Sequence, residues 1–337
     1  MEYIELGTTG LKLSRLSMGG IPLQRVEPEE VKGIFQELLN QGINFIDTAR
    51  GYTISERQIA IGLKEFGRDK FYLASKTMGR TAEALNKDFA KTLSELETDY
   101  LDLYQFHNVA KAEDFATVMG PGGAYEAALK LKAEGKIGHI GITSHNKDLL
   151  DEMIDCGKFE TIQFPYNCLE RQGEEQLKRA VDKGIGTLCM KPLAGGALKY
   201  PELALRFIYE QDEVIQVMIP GMDSVEQIKI NAAVTQMDKA LTEEDFALLD
   251  QEAKELGDHF CRRCGYCAPC TVGIDIPSNF LMEGYYSRYD LKDWAKARYQ
   301  AMEHNAADCI ECGACEGRCP YNLPIIKMLK EVDRILS

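Results

Sequence analysis

Long apolar runs are missing from this 337-residue chain. No stretch of about 18 apolar residues occurs, which excludes a membrane-spanning helix. The first ten residues hold neither a basic cluster nor an apolar stretch. No secretory signal is therefore expected, and the cytoplasm is the expected compartment. Positive charge is also in short supply: 39 Lys and Arg stand against 53 Asp and Glu, a formal net charge of −14. The deficit is local. Residues 258–337 hold ten basic and eleven acidic side chains, whereas residues 1–257 hold 29 and 42. Such an acidic surface argues against nucleic acid or an anionic membrane as a partner and favours solubility.

What is present is a regular alternation. Eight short runs rich in β-branched and aromatic residues fall at 16–20, 44–49, 71–76, 101–107, 139–144, 161–166, 186–192 and 214–221. Each is followed by an amphipathic stretch with helix punctuation. Pro28-Glu29-Glu30, Ser55-Glu56 and Ser224 open helices, and Gly42, Gly67, Gly135 and Gly184 sit where helices should stop. Strands alternating with helices imply parallel βαβ units, and eight of them in about 230 residues is the size of a closed barrel. A doubly wound open sheet is the alternative, but no Gly-x-Gly-x-x-Gly follows the first strand. Residues 3–6 and 11–14 flank Gly7-Thr8-Thr9-Gly10 and suggest a hairpin plugging the barrel floor. A last helix is expected over 241–255, capped by Thr242, and a domain boundary near 256–258. The fold class is thus α/β, a (β/α)8 TIM barrel over 1–257, followed by a second domain over 258–337.

In such barrels the chemistry sits at the C-terminal strand ends. Strand 2 ends in Phe45-Ile46-Asp47, strand 3 in Ala74-Ser75-Lys76, and strand 4 in Gln105-Phe106-His107, with Tyr52 five residues past the Asp. Singly, each has an ordinary reading as a surface charge, a core histidine or a loop anchor. Together they make chemical sense. A lysine ammonium lowers the pKa of a neighbouring tyrosine, an aspartate holds the lysine, and a histidine hydrogen-bonds a carbonyl oxygen.

The segment Asp47-Thr48-Ala49-Arg50-Gly51-Tyr52-Thr53-Ile54-Ser55-Glu56 resembles the motif of aldo/keto reductases, and the resemblance covers about residues 1–255. It implies a catalytic set of Asp47, Tyr52, Lys76 and His107, with Tyr52 as general acid. It also implies hydride transfer from NAD(P)H to the carbonyl carbon of an aldehyde or ketone. It assigns the carboxamide of the cofactor to Ser144 and Gln163. Met190 replaces the usual stacking aromatic, and the phosphate and adenine segment runs from Ile219 to Asn231. Gly221 and Gln227 stand where basic residues usually meet the 2′-phosphate of NADP, which leaves NAD against NADP open. A flavin is the minority alternative for the same cleft. Substrate specificity is expected in the long loop 108–123.

Eight of the 11 cysteines fall in two groups, Cys261-x-x-Cys264-x-x-Cys267-x-x-Cys270 and Cys309-x-x-Cys312-x-x-Cys315-x-x-x-Cys319-Pro320. Clustered cysteines without a secretory signal point to metal rather than disulfides. The second group matches a ferredoxin run for [4Fe–4S] clusters; zinc is the competing reading. The C-terminal module resembles that of an aldo/keto reductase subset and the helical type of two-cluster ferredoxin. By that analogy Cys261, Cys264, Cys267 and Cys319 hold one cluster, and Cys309, Cys312, Cys315 and Cys270 the other. The first group departs from the usual run, with a shorter last gap and Thr271 in place of proline. Between the groups, the aromatics Phe280, Tyr285, Tyr286, Tyr289, Trp294 and Tyr299 are expected to pack around the clusters, with a helix over 291–304. Cys156, Cys168 and Cys189 read as ordinary buried thiols.

Nicotinamide moves electron pairs, while clusters move single electrons. The clusters are therefore either structural or oxygen-sensing beside an autonomous barrel, or they relay electrons from a ferredoxin-like donor to a flavin or substrate. A third reading makes the chain chiefly an electron carrier.

Overall fold

A computed structural model describes residues 1–237, 240–256, 260–287 and 292–337. The chain forms two compact units: 1–193 with 200–249, and 194–199 with 250–337. The expected boundary residues 257 and 258 lie outside the described residues. The observed division falls at Leu249–Asp250, inside the helix Glu243–Leu256.

The first unit opens with the expected hairpin, β1 (Tyr3–Glu5) antiparallel to β2 (Lys12–Ser14). Eight parallel strands follow: β3 (Met18–Gly19), β4 (Phe45–Asp47), β5 (Tyr72–Thr77), β6 (Leu101–Phe106), β7 (Ile137–Thr143), β8 (Thr161–Pro165), β9 (Gly186–Met190) and β10 (Val217–Met218). They pair in sequence order. Bridges from Leu16 to Met218 and from Gly19 to Gly221 join the first strand to the last and close the barrel. The runs are β-branched and aromatic because each strand is buried on both faces, by helices outside and by packed side chains inside.

The barrel floor is apolar. Leu6, Leu11 and Leu13 of the hairpin are buried against Phe45, Ala74, Leu103, Leu188 and Val217. Gly7 makes this docking possible: its φ is +54°, and a Cβ there would strike the backbone of Gly184 and Gly186. Outside, Val31, Ile34, Phe35 and Leu38 of the helix Pro28–Asn40 illustrate the i, i+3, i+4, i+7 stripe that seals each helix onto the sheet. Ser224 accepts from the Gln227 N–H and Thr242 from the Asp245 N–H, so both caps form. The stretch 108–123 is not an open loop: it carries the helix Ala112–Met119, whose Phe115 and Val118 are buried. The apolar i, i+3 pair inside that stretch is the signal for a helix.

The second unit is helical, with helices Ile276–Ser287, Lys292–Gln300 and Ile325–Leu336. Its own core gathers Ile274, Phe280, Ala295, Tyr299, Leu329 and Val332. The helix expected over 291–304 ends at Gln300, and its first residue lies outside those described. Among the aromatics, Phe280 and Tyr299 are buried while Trp294 is exposed and meets Tyr285 edge-on at 5.1 Å. Tyr289 lies outside the described residues. No helix among the described residues is long and apolar enough to cross a membrane.

Candidate active site and cysteine centres

Above the apolar floor the barrel interior turns polar. Asp47 at the end of β4 and Lys76 on β5 are both buried, and the Lys76 Nζ donates to Asp47 Oδ2 at 2.5 Å and to the Thr48 carbonyl at 2.8 Å. Gln105 Nε2 donates to Asp47 Oδ1 at 3.1 Å, and Gln163 Nε2 reaches Asp47 Oδ2 at 3.5 Å. Burial pulls the Lys76 ammonium below its ordinary pKa, opposed by the Asp47 carboxylate. The pair holds two opposite charges in a pocket that neither would enter alone.

Tyr52 sits on a tight turn after β4. Its N–H donates to the Ala49 carbonyl, Ser55 N–H donates back to the Tyr52 carbonyl, and Thr48 Oγ1 meets Ser55 Oγ at 2.8 Å. This turn lays the half-buried Tyr52 ring 5.1 Å from Lys76 Nζ and edge-on to His107, with centroids 5.6 Å apart. His107 is buried, and burial followed by the cations Lys76, Arg80 and Lys191 holds its pKa well below 6.5. The imidazole is therefore neutral. All four residues singled out in the sequence meet at one end of the barrel.

The cofactor residues are more mixed. Gln163 is buried, and its Oε1 has no hydrogen-bond partner among the described residues, an acceptor suited to an amide N–H donor. Ser144 is buried beside it, its N–H bonded to the Gln163 carbonyl at 3.2 Å. Met190 and Ile219 pack on the apolar barrel interior, and Asn231 is buried on the helix Val225–Ala233. Gln227 caps that helix, its Oε1 accepting from the Asp223 N–H at 2.9 Å. Gly221 lies against the Pro22 ring, which a Cβ would crowd at 2.8 Å.

Sequence reasoning passed over a second network on the same rim. His145 Nδ1 lies 2.9 Å from Asn108 Oδ1, and Lys191 Nζ lies 2.6 Å from His145 Nε2. The ammonium is a donor only, so His145 accepts at Nε2 and donates from Nδ1. It also passed over the buried Gln105. Asp102 and Gln105 both interrupt the strand Leu101–Phe106.

In the second unit two cavities open among the cysteines. One is lined by Cys270, Cys309, Cys312 and Cys315, the other by Cys261, Cys264, Cys267 and Cys319. The fourth cysteine of each sequence group thus lines the cavity of the other group. The two loops share a backbone form: Arg263 and Glu311 have φ of 49° and 56°, and Gly265 and Gly313 have 77° and 75°. Residues of alternating handedness turn successive N–H groups toward one centre, as anion-binding nests do. Among the described residues no three His, Cys, Asp or Glu side chains converge closely enough for a single metal ion. Four cysteines line each cavity. Of the remaining cysteines, Cys189 is buried while Cys156 and Cys168 are half-buried.

The closed parallel barrel thus brings a buried Asp–Lys pair, a tyrosine and a histidine to one end. The chain belongs to the aldo/keto reductase family: the family model matches residues 4–202, and the 4Fe-4S dicluster domain matches residues 260–324. It is 30% identical to the aldo-keto reductase YhdN of Bacillus subtilis over 71% of this chain and 76% of that one. It is 25% identical to the NADH-specific methylglyoxal reductase of Escherichia coli, over 76% and 99%. Among solved structures, an aldo-keto reductase from Bacillus halodurans in its holo form superposes with a TM-score of 0.64 at 25% identity, covering 75% of this chain and 96% of that one.

Proposed function

We propose that this oxidoreductase reduces the carbonyl group of an aldehyde or ketone with NAD(P)H, using Asp47, Tyr52, Lys76 and His107. The observation that carries this reading is the Lys76 ammonium, bonded to Asp47 at 2.5 Å and 5.1 Å from the Tyr52 ring. Bound nicotinamide supplies a hydride to the carbonyl carbon. The chain's own residues handle the oxygen. Neutral His107 donates a hydrogen bond to it, and Tyr52 gives up its proton as the C=O electron pair moves onto oxygen. Lys76 makes that proton easier to lose, because a cation favours the tyrosinate. Asp47 holds Lys76 in place. Gln163 Oε1 and Ser144 would take the carboxamide, with Met190 and Ile219 as the apolar wall. At the phosphate end Gln227 is uncharged and the cation Arg25 is engaged by the Asp223 carboxylate at 2.7 Å, which favours NADH; the NADH-specific relative from E. coli is consistent with that choice.

The eight cysteines would hold two [4Fe–4S] clusters in the crossed arrangement, which the two four-cysteine cavities support. These cavities also favour a second reading, in which a ferredoxin-like carrier feeds electrons through the clusters to a flavin or substrate.

Tyr52→Phe tests the first reading. It should lower kcat/KM for NAD(P)H-dependent aldehyde reduction by about 10²–10⁴-fold, the usual worth of a positioned acid. Activity close to wild type would sink the assignment. A folded Cys312→Ala variant that retains NAD(P)H turnover supports an autonomous barrel; loss of turnover in that folded variant would overturn the autonomous barrel.

A further inference from the structure

The two cysteine cavities are alike in composition but differ at one sulfur. Cys312 is exposed, whereas the other seven cavity cysteines are half-buried or buried. Thr271 follows Cys270, lines the same cavity, and places its Oγ1 3.3 Å from the Cys312 Sγ. In the other cavity the Cys261 Sγ receives a backbone N–H from Arg263 at 3.4 Å, and Phe280, Tyr321 and Leu323 form part of the wall. A backbone donor is common to any sequence; a hydroxyl is a choice of side chain. Thr271 also stands where proline ends the second cysteine group, and proline would offer no donor.

We propose that Thr271 tunes one cluster. Its hydroxyl donates to the Cys312 sulfur and, together with the exposure of that sulfur, gives the cluster of Cys270, Cys309, Cys312 and Cys315 the higher reduction potential of the two. The inference rests on the reading of the eight cysteines as cluster ligands. A ligating cysteine is a thiolate with no S–H, so the hydroxyl is the donor in this contact. Reduction adds one electron and one negative charge to a cluster whose sulfurs already carry negative charge. A donor to sulfur stabilises the reduced state more than the oxidised one, and so does access to water; both raise the potential. Thr271 is a positioning and tuning residue here, not a ligand.

The test uses the full-length holoprotein, titrated anaerobically with dithionite and followed by electron paramagnetic resonance, with iron and sulfide measured on the same samples. Thr271→Val keeps the shape and removes the hydroxyl; Thr271→Ser keeps the hydroxyl. The expected result is two resolvable potentials in the wild type. Val should shift the higher one to lower potential and leave the other in place, and Ser should restore it. Unmoved potentials at normal iron content, an equal shift of both, or a Ser variant that behaves as Val would each overturn the inference. So would loss of half the iron in Thr271→Val, which would make the residue part of the cluster's hold. Wild-type protein that incorporates no iron would overturn the cluster reading itself, an outcome distinct from unmoved potentials in a loaded protein.

Discussion

The barrel rim and the cysteine unit solve the same problem, polar groups in a protein interior, in opposite ways. The rim carries its own counter-charge. Asp47 and Lys76 neutralise each other, and Gln105, Gln163 and the Thr48 carbonyl satisfy the remaining sites. The cysteine unit brings four thiols to each cavity with one arginine in the wall, Arg318 in one and Arg262 in the other. Burial, followed by proximity to neighbouring cysteines, pushes the Cys267 thiol up to about 12, and burial raises Cys261 to about 11. Thiols so placed become thiolates only when a cationic centre is supplied. The rim meets its charges within the fold, whereas the cysteine sets, read as cluster ligands, would draw on the charge of a bound centre.

Iron removal should break this symmetry most visibly. When a chelator strips the reduced holoprotein, amides of 261–336 should lose their hydrogen-exchange protection, while those of β4–β8 keep theirs, because metal binding to such domains is itself folding free energy. Equal loss across both units would break the comparison. Lys76→Met tests the other side. Removing one partner of a buried ion pair costs about 3–5 kcal/mol. The lower end is expected, since two glutamine amides still donate to Asp47. Urea unfolding measures it, and Lys76→Met combined with Asp47→Asn should recover part of the loss. A Lys76→Met protein as stable as wild type would mean that the pair is not buried as described.

The legibility of the two regions differed for physical reasons. Barrel strands announce themselves because burial on both faces demands β-branched and aromatic runs, and Asp47, Lys76 and His107 stood out as polar residues ending such runs. Tyr52 was legible only through its spacing from Asp47. Gln105 and the Asn108–His145–Lys191 network were not, since their roles depend on which strands become neighbours, and a single polar residue carries no such information. Gln227 marked a cofactor position in sequence, and the structure adds that its side chain accepts from the Asp223 N–H at the start of the helix. The crossed sets came from the resemblance to two-cluster ferredoxins, and the cysteine spacing alone gave only the two groups. The helix Ala112–Met119 was missed, as its short apolar pattern lies within a stretch punctuated by Gly120, Gly122 and Gly123.

The weakest expected effect concerns pH and belongs to the rim alone. Burial holds both His107 and His145 well below 6.5, with Lys76 and Lys191 respectively as their next largest influence. In the unfolded chain each histidine binds its proton near pH 6.5. The folded protein therefore binds fewer protons than the unfolded one just below that pH, and stability is lost as pH falls. Above about pH 7.5 the contribution is complete. Below 6.5 each histidine costs about 1.4 kcal/mol per pH unit until its folded pKa is reached. Urea unfolding between pH 7.5 and 5.5 should show a slope approaching two protons, falling to one in His145→Gln. The amide of that variant retains a donor for Asn108 and an acceptor for Lys191, so the network survives while the titration is removed. A flat profile over this range would mean that the histidines titrate normally in the folded protein, and that burial does not hold His107 neutral.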